Sequence, residues 1–474
     1  MSYLKFDKTV MINLEESLTR EVLRTNRLGA YHSSTVVDCN TRKYHGLLVM
    51  PVPALDDDNH VLLSSLDETV IQHGAEFNLG LHKYGENNFS PKGHKYIREY
   101  TCDTVPRTVY RVGGVIFSKE KVFSMFENRI MIKYTLEDAH SATTLRFRPF
   151  LAFRSVKELT YANGNLNQNY TVVPNGIKMC LYPGYPELFM QFSKKVNFVF
   201  DPKWYYGIEY SKEQERGYPY KEDLFVPGYF EVPIKKGETI VFSAGDSQVA
   251  TTRLKTLYDT EVAARTPRTS FYNCLKNSAQ QFYFRPKKQD AYLLAGYPWF
   301  KVRARDLFLA TPGCTLSIDD PVRFEKIMAT ALPALRAFME DGAQDPVIQE
   351  IEQPDVILWA IWAIQQYAKV VGIDKARELY KEFIDEALEY IMSQKHPGLK
   401  VMDSGLLFAD GGRDKAITWM NSVVNGRPVV PRSGCIVEFN AAWYNALCFS
   451  REMNGEATDK RIDKLISAIN VSFP

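Results

Sequence analysis

The sequence predicts an antiparallel β-sandwich followed by an all-α part built from paired helices, and three observations predict it. Short β-branched and aromatic runs, punctuated by Gly, Asn and Asp, fill the first half. The composition shifts near residue 250. Beyond it, amphipathic helical spacing alternates with a stretch that is apolar all round. A chain of 474 residues, 45% hydrophobic and 24% charged, has the length for two such domains and the composition to bury their cores.

In chain order, 107–137 holds Thr-Val-Tyr-Arg-Val, a turn at Gly113-Gly114, Val-Ile-Phe-Ser, and then Ile-Met-Ile-Lys-Tyr-Thr-Leu from Ile130. Two strands around Gly-Gly are a hairpin signal. Thr144-Leu-Arg-Phe-Arg-Pro-Phe alternates apolar and polar, as a half-buried strand does, and Asn197-Phe-Val-Phe and Thr239-Ile-Val-Phe-Ser repeat the theme. Many short strands suggest the sandwich over 1–250. Residues 251–289 read as a helical linker: one helix over 252–260, an interruption at Pro267, and helical spacing over 270–284.

From 290 to 474 the pattern is helical. Asp374 is placed to cap a helix in which Ala376, Leu379, Tyr380, Phe383, Ile384, Ala387, Leu388 and Ile391 recur at helical intervals. By contrast, Val356-Ile-Leu-Trp-Ala-Ile-Trp-Ala-Ile is apolar on every side and must be wrapped by protein. Greasy inner helices beside amphipathic outer ones are what an α/α toroid requires. About six helices fit between 300 and 474, and a closed (α/α)6 barrel needs twice that. The expectation is a smaller array, or the first half of a barrel in a chain that is a piece of a longer protein. An unclosed barrel would expose apolar surface and aggregate or dimerise.

Composition narrows the function. With 58 Lys and Arg against 56 Asp and Glu, the net charge of +2 argues against a general nucleic-acid or membrane-surface binder. No apolar run reaches the roughly 18 residues of a membrane span. Residues 1–8 lack the basic and apolar segments of a signal peptide, and seven scattered cysteines form no Cys-x-x-Cys, so a cytoplasmic location is expected. Only His396 of the eight histidines lies in the second half, which leaves no His-built metal site there. Neither a P-loop nor a Gly-x-Gly-x-x-Gly is present, and no cofactor is expected.

A polysaccharide hydrolase needs two carboxyl groups flanking the scissile bond and aromatic faces for sugar rings. Both ingredients gather in four clusters: 296–306 with Trp299, Arg305 and Asp306; 353–362 with Asp355, Trp359 and Trp362; 405–421 with Trp419 and Asn421; and 431–445 with Glu438 and Trp443. Each has a plainer reading. Asp355 stands where a helix N-cap would, Arg305-Asp306 would serve as an ion pair, and each tryptophan would serve as core. Glu438 lies among Val437, Phe439 and Ala441, and a carboxylate in such company usually has a purpose or a partner.

Taken in order, these clusters resemble the bacterial and archaeal glycogen debranching enzymes, the amylo-α-1,6-glucosidase family. The resemblance opens with Thr25-Asn-Arg-Leu-Gly-Ala-Tyr-His-Ser-Ser-Thr35, Asn40-Thr-Arg-Lys-Tyr-His-Gly-Leu-Leu-Val49 and Leu62-Leu-Ser-Ser-Leu-Asp-Glu68. It continues through Tyr297-Pro-Trp-Phe, Arg305-Asp306, Asp355 before Leu-Trp, Thr418-Trp-Met and Val437-Glu-Phe-Asn-Ala-Ala-Trp-Tyr-Asn-Ala-Leu447. It implies a β-sandwich joined to a catalytic (α/α)6 barrel.

It also implies a glucosidase that removes α-1,6-linked glucose from glycogen or a related branched α-glucan, by inversion and without a cofactor. Asp355 then corresponds to the general acid. The second carboxylate of the family follows Thr-Trp-Met, where this chain has Asn421, and an amide is no general base. Glu438 would supply the base, or the protein would be a weak or silent glucan binder. Arg305 and Asp306 would shape the glucose pocket, and Trp299, Trp359, Trp419 and Trp443 would offer stacking faces. Ala304 replaces a usual Gly, and 338–354 shows little of the usual loop before the acid. Another α/α-barrel glycosidase or a sugar phosphorylase is the remaining rival, since fold does not fix function. Arg42 and His45 read as structural, and Asp56-Asp-Asp58 as a solvated loop.

Overall fold

A computed structural model of the chain describes residues 3–86, 88–411 and 414–473. Its contacts divide into two compact units, Met1–Gln281 and Phe282–Pro474.

The first unit is a pair of antiparallel sheets. One runs, in spatial order, through Lys5–Asp7, Ile97–Cys102, Pro106–Val112, Val115–Phe123, Arg129–Asp138, Thr239–Gly245, Leu188–Phe192, Gly176–Met179 and Tyr170–Val173. The other orders Glu21–Thr25, Tyr31–Thr35, Gly46–Pro51, Asn59–Gln72, Thr143–Ser155, Lys221–Ile234, Asn197–Glu209, His82–Tyr84 and Asn88–Ser90, with Ala75–Asn78 paired to Asn59–Gln72. The predicted hairpin forms with Val112 opposite Val115, and its turn residues Gly113 and Gly114 both have positive φ, which a tight primed turn requires. Alternation places Leu145 and Phe147 inward. One core unites the sheets: Phe117 stacks on Tyr134 at 5.6 Å, Tyr134 meets Phe147 of the other sheet at 4.9 Å, and Phe147 meets Phe192 at 5.2 Å.

Several buried charges in this unit are paired. Lys119 reaches Asp38 at 2.7 Å and Glu68 at 3.1 Å, and Glu68 also accepts from the Tyr134 hydroxyl. Arg42 donates to Glu21 at 2.6 Å. His45 is fully buried, and its Nδ1 accepts from the Thr41 amide. Burial opposes ionisation of Glu21, but hydrogen bonds from His45 and Arg42 hold its carboxyl down at about 2. The Asp56–Asp58 loop is pinned as well as solvated, by His60 on Asp56 and Lys157 on Asp58.

The segment expected as linker, 251–289, contains helices Leu254–Ala263 and Phe271–Gln280, the second capped by the Ser270 hydroxyl. Leu254 and Tyr258 pack against Val122, Met131 and Val241 of the first sheet. The predicted helical spacing over 270–284 stops at Gln280. Tyr283–Phe284 is instead a strand, which suits an aromatic run shortly before Pro286.

The second unit holds six α-helices among the described residues: α1 (Ala304–Thr315), α2 (Pro321–Asp341), α3 (Val356–Val371), α4 (Ile373–Met392), α5 (Val437–Asn454) and α6 (Lys460–Ser472). α3 packs against α1 on one side and α5 on the other, while α2 packs against α4. Odd-numbered helices thus form an inner row and even-numbered ones an outer row. The apolar stretch of α3 is buried nearly all round, as its composition predicts. α4 starts at Ile373 rather than after Asp374. Gly372, at φ +101°, supplies a break that side chains resist, and Asp374 becomes a first-turn acid paired to Arg377 at 2.6 Å. No helix among the described residues is long and apolar enough to cross a membrane.

Candidate active site

The first turns of the three inner helices carry the charged residues singled out by sequence. Arg305 is the second residue of α1, Asp355 immediately precedes α3, and Glu438 is the second residue of α5. Because these helices run side by side, their N-termini bring together residues far apart in the chain. The positive ends of the helix dipoles favour the two carboxylates there.

Asp355 is 3% exposed. It occupies the N-cap position of α3, yet its side chain accepts nothing from the helix backbone, which overturns the capping reading. The carboxylate instead takes three side-chain hydrogen bonds: Arg305 Nε to Oδ2 at 2.7 Å, Arg305 Nη2 to Oδ1 at 2.9 Å, and the Trp359 indole N–H to Oδ2 at 2.9 Å. Arg305 therefore pairs with Asp355 and not with its neighbour Asp306, which is exposed in the first turn of α1. A fork of this kind fixes both distance and plane. Arg305 Nη2 also reaches the Ile417 carbonyl at 3.5 Å, which ties the pair to the loop that follows.

That loop carries Thr418, Trp419 and Asn421. Thr418 is buried, and its hydroxyl accepts from the Met420 amide at 3.2 Å. Trp419 is 61% exposed and lies near Glu438. Glu438 is half-buried and held in a fork by Arg432, with Nη2 to Oε2 at 2.9 Å. The Arg432 hydrogen bonds hold the Glu438 carboxyl below its ordinary range, partial burial works against them, and Trp419 adds to the lowering. The segment 417–419 thus lies by both centres: its Ile417 carbonyl accepts from Arg305, and Trp419 lies near Glu438.

The other sequence-predicted residues scatter around this arrangement. Asn421 is exposed, and no hydrogen bond joins it to either carboxylate among the described residues. Trp443 is fully buried and donates to the Gly405 carbonyl at 3.1 Å, so no face of it is open to a sugar. Trp359 is half-buried, with Trp362 edge-on at 5.8 Å, and orients Asp355 through its N–H. Trp299 is 40% exposed, next to the cis Tyr297–Pro298 bond and edge-on to Phe300.

Sequence reasoning assigned no role to Arg432, because an arginine six residues before a glutamate and across a helix start has no periodic signature. It also assigned no role to His396, whose ring meets Phe338 at 6.2 Å and Tyr390 at 5.7 Å. Burial pushes the His396 imidazole down to about 4, with Lys415 adding to the effect.

A family model described as glycogen debranching enzyme N terminal matches residues 20–241, and one described as amylo-α-1,6-glucosidase matches residues 276–473. No curated protein matches the chain. Among solved structures, a bacterial glucoamylase complexed with acarbose aligns with 99% of this chain and 67% of its own, at 9% identity and a TM-score of 0.43. A polysaccharide lyase aligns with 96% of this chain and 79% of its own, at 9% identity and a TM-score of 0.20. With the two family models following one another along the chain, first over the sheet-rich unit and then over the helical one, the chain belongs to the glycogen debranching enzyme family.

Proposed function

We propose that the protein is a glycosidase acting on α-glucans, and that it removes α-1,6-linked glucose at the branch points of glycogen or a related polymer. The observation that carries this reading is the placement of Asp355 and Glu438, each held in a fork by its own arginine, at the starts of neighbouring helices beside the loop 417–419. Family membership supplies the substrate class. Seven free cysteines support action in the reducing cytoplasm.

Inversion by two carboxyl groups assigns Asp355 as proton donor to the leaving oxygen and Glu438 as the base that takes a proton from the attacking water. Arg432 keeps Glu438 anionic, as a base must be. Arg305 bonds both oxygens of Asp355 and fixes the plane of its carboxyl group. Asp306 and Trp299 would border the sugar, and the exposed face of Trp419 would stack on it.

Asn421 favours a second reading, a protein that binds glucan without cleaving it, because the amide stands where the family has a carboxylate. Glycogen trimmed by phosphorylase, incubated with and without inorganic phosphate, separates the readings. Free glucose in both conditions supports the hydrolase. A sugar phosphate formed only with phosphate indicates a phosphorylase, and binding without any release leaves the silent binder.

A further inference from the structure

We infer that Gly411 is a positioning residue for the proposed hydrolysis, the joint at which the supports of Asp355 and Glu438 meet. The inference rests on the reading of those two carboxyl groups as acid and base. Inversion needs them about 6.5–9.5 Å apart, with room between for one water. Packing of α3 against α5 brings their helices together, and the loops at the helix starts adjust the spacing.

On the Glu438 side, the segment 407–411 runs antiparallel to 432–436 and is fastened to it at every second residue. Leu407 lies level with Ile436, and the buried Asn440 side chain bridges them. Its Oδ1 accepts from the Leu407 amide at 2.7 Å, and its Nδ2 donates to the carbonyls of Leu407 at 2.9 Å and Ile436 at 3.0 Å. Two residues on, Ala409 and Gly434 exchange both backbone hydrogen bonds, at 3.0 and 2.8 Å. The same register carried two residues further sets Gly411 opposite Arg432, the residue whose side chain holds Glu438.

Gly411 is buried at that crossing. A Cβ on it would lie 2.7 Å from the Arg432 carbonyl oxygen, and 2.8 and 3.0 Å from Cγ1 and Cδ1 of Ile417. Ile417 is 3% exposed, and its carbonyl accepts from Arg305, the partner of Asp355. The bare Cα therefore sits between a residue that holds the base and one that touches the arginine of the acid. No left-handed φ calls for glycine here, so close approach is the reason for it. A backbone carbonyl cannot swing aside as a long side chain can. A methyl group at 411 must drive the 432 and 417 segments apart, and the two carboxyl groups with them.

The test is the pH dependence of hydrolysis of a short α-1,6-branched oligosaccharide by the full chain. Gly411→Ala should lower kcat about 10²-fold, the usual cost of misplacing catalytic groups by about 1 Å, with KM little changed. The acid limb of kcat/KM should move to higher pH, because a displaced Arg432 grips the Glu438 carboxylate less. Gly405→Ala is the control. Its methyl would meet the Leu465 carbonyl and Ile469 Cγ1 of α6, each at 3.0 Å, and so strains the same unit by another route. It should lower stability and leave kcat and the acid limb in place.

Should Gly411→Ala fail to fold, Gly411→Ala combined with Ile417→Ala carries the test. The pair clears both side-chain contacts and keeps the one with the Arg432 carbonyl, so its acid limb should lie above that of Ile417→Ala alone. Crystal structures of the wild type and the variant give a readout without catalysis, in which the separation of the Asp355 and Glu438 carboxyl groups should change. An unchanged separation overturns the inference, as does an unmoved acid limb with kcat lowered no more than in Gly405→Ala. A wild type without hydrolysis, whose carboxyl separation still responds to the methyl at 411, would keep the joint and remove the catalytic reading instead.

Discussion

Arg305 and Asp355, fifty residues apart, meet in a two-pronged ion pair with Nε–Oδ2 2.7 Å and Nη2–Oδ1 2.9 Å, both almost wholly buried. Such a pair is held by its completeness. Removing one partner leaves an uncompensated charge in a dry place, which typically costs about 3–5 kcal/mol. The pair therefore has a structural weight that the sequence position of Asp355 at a helix start does not suggest.

Asp355→Asn tests both roles. Loss of the proton donor should reduce α-1,6 hydrolysis by at least about 10²-fold. The variant should also unfold at lower denaturant, by a few kcal/mol, because the amide offers Arg305 no negative charge. Near-wild-type turnover on a substrate with a poor leaving group would remove Asp355 from the chemistry. Unchanged stability would show that Arg305 finds another partner.

Arg432 provides a handle on the base. With Glu438 acting as base, activity requires its anion, and the Arg432 hydrogen bonds hold that carboxyl low. In Arg432→Met the acid limb of the kcat/KM profile should move to higher pH, since the carboxyl would then take up its proton sooner as pH falls. An acid limb that stays in place in the variant would detach Glu438 from the rate.

Asn421 is the clearest departure from the family pattern, and restoring a carboxylate there has a definite expectation. If Glu438 already serves as base, Asn421→Asp should change hydrolysis little, because position 421 is exposed and not bonded to either centre. A gain of tenfold or more would shift the base to position 421 and mark the wild type as a weakened enzyme.

Much of this was legible in the sequence, for identifiable reasons. Strand alternation at Leu145 and Phe147, the Gly113-Gly114 turn and the all-round apolar stretch of α3 are local patterns with one physical solution each. The clusters containing Arg305, Asp355, Thr418 and Glu438 could be seen, but not their pairing. Arg305 was read beside Asp306 because adjacency in sequence is visible, whereas the α1–α3 packing that hands it to Asp355 is not. Trp443 looked like any other tryptophan until its burial and its bond to the Gly405 carbonyl made it core. Arg432 was hidden because its contact depends on how the chain turns between Pro431 and α5.

The last prediction concerns acid stability. Burial lowers the His32 imidazole to about 3 and that of His396 to about 4, whereas an unfolded histidine titrates near 6.5. Between the folded and unfolded values the unfolded chain holds more protons. Stability is then complete above about pH 6.5 and falls as the solution is acidified toward pH 4. For His396 the loss is on the order of 3 kcal/mol when the whole window is crossed. Urea unfolding at pH 7 and at pH 4.5 should show that fall in the wild type and a smaller one in His396→Gln, which has no proton to take up. Equal pH dependence in the two proteins would show that His396 does not carry the acid sensitivity.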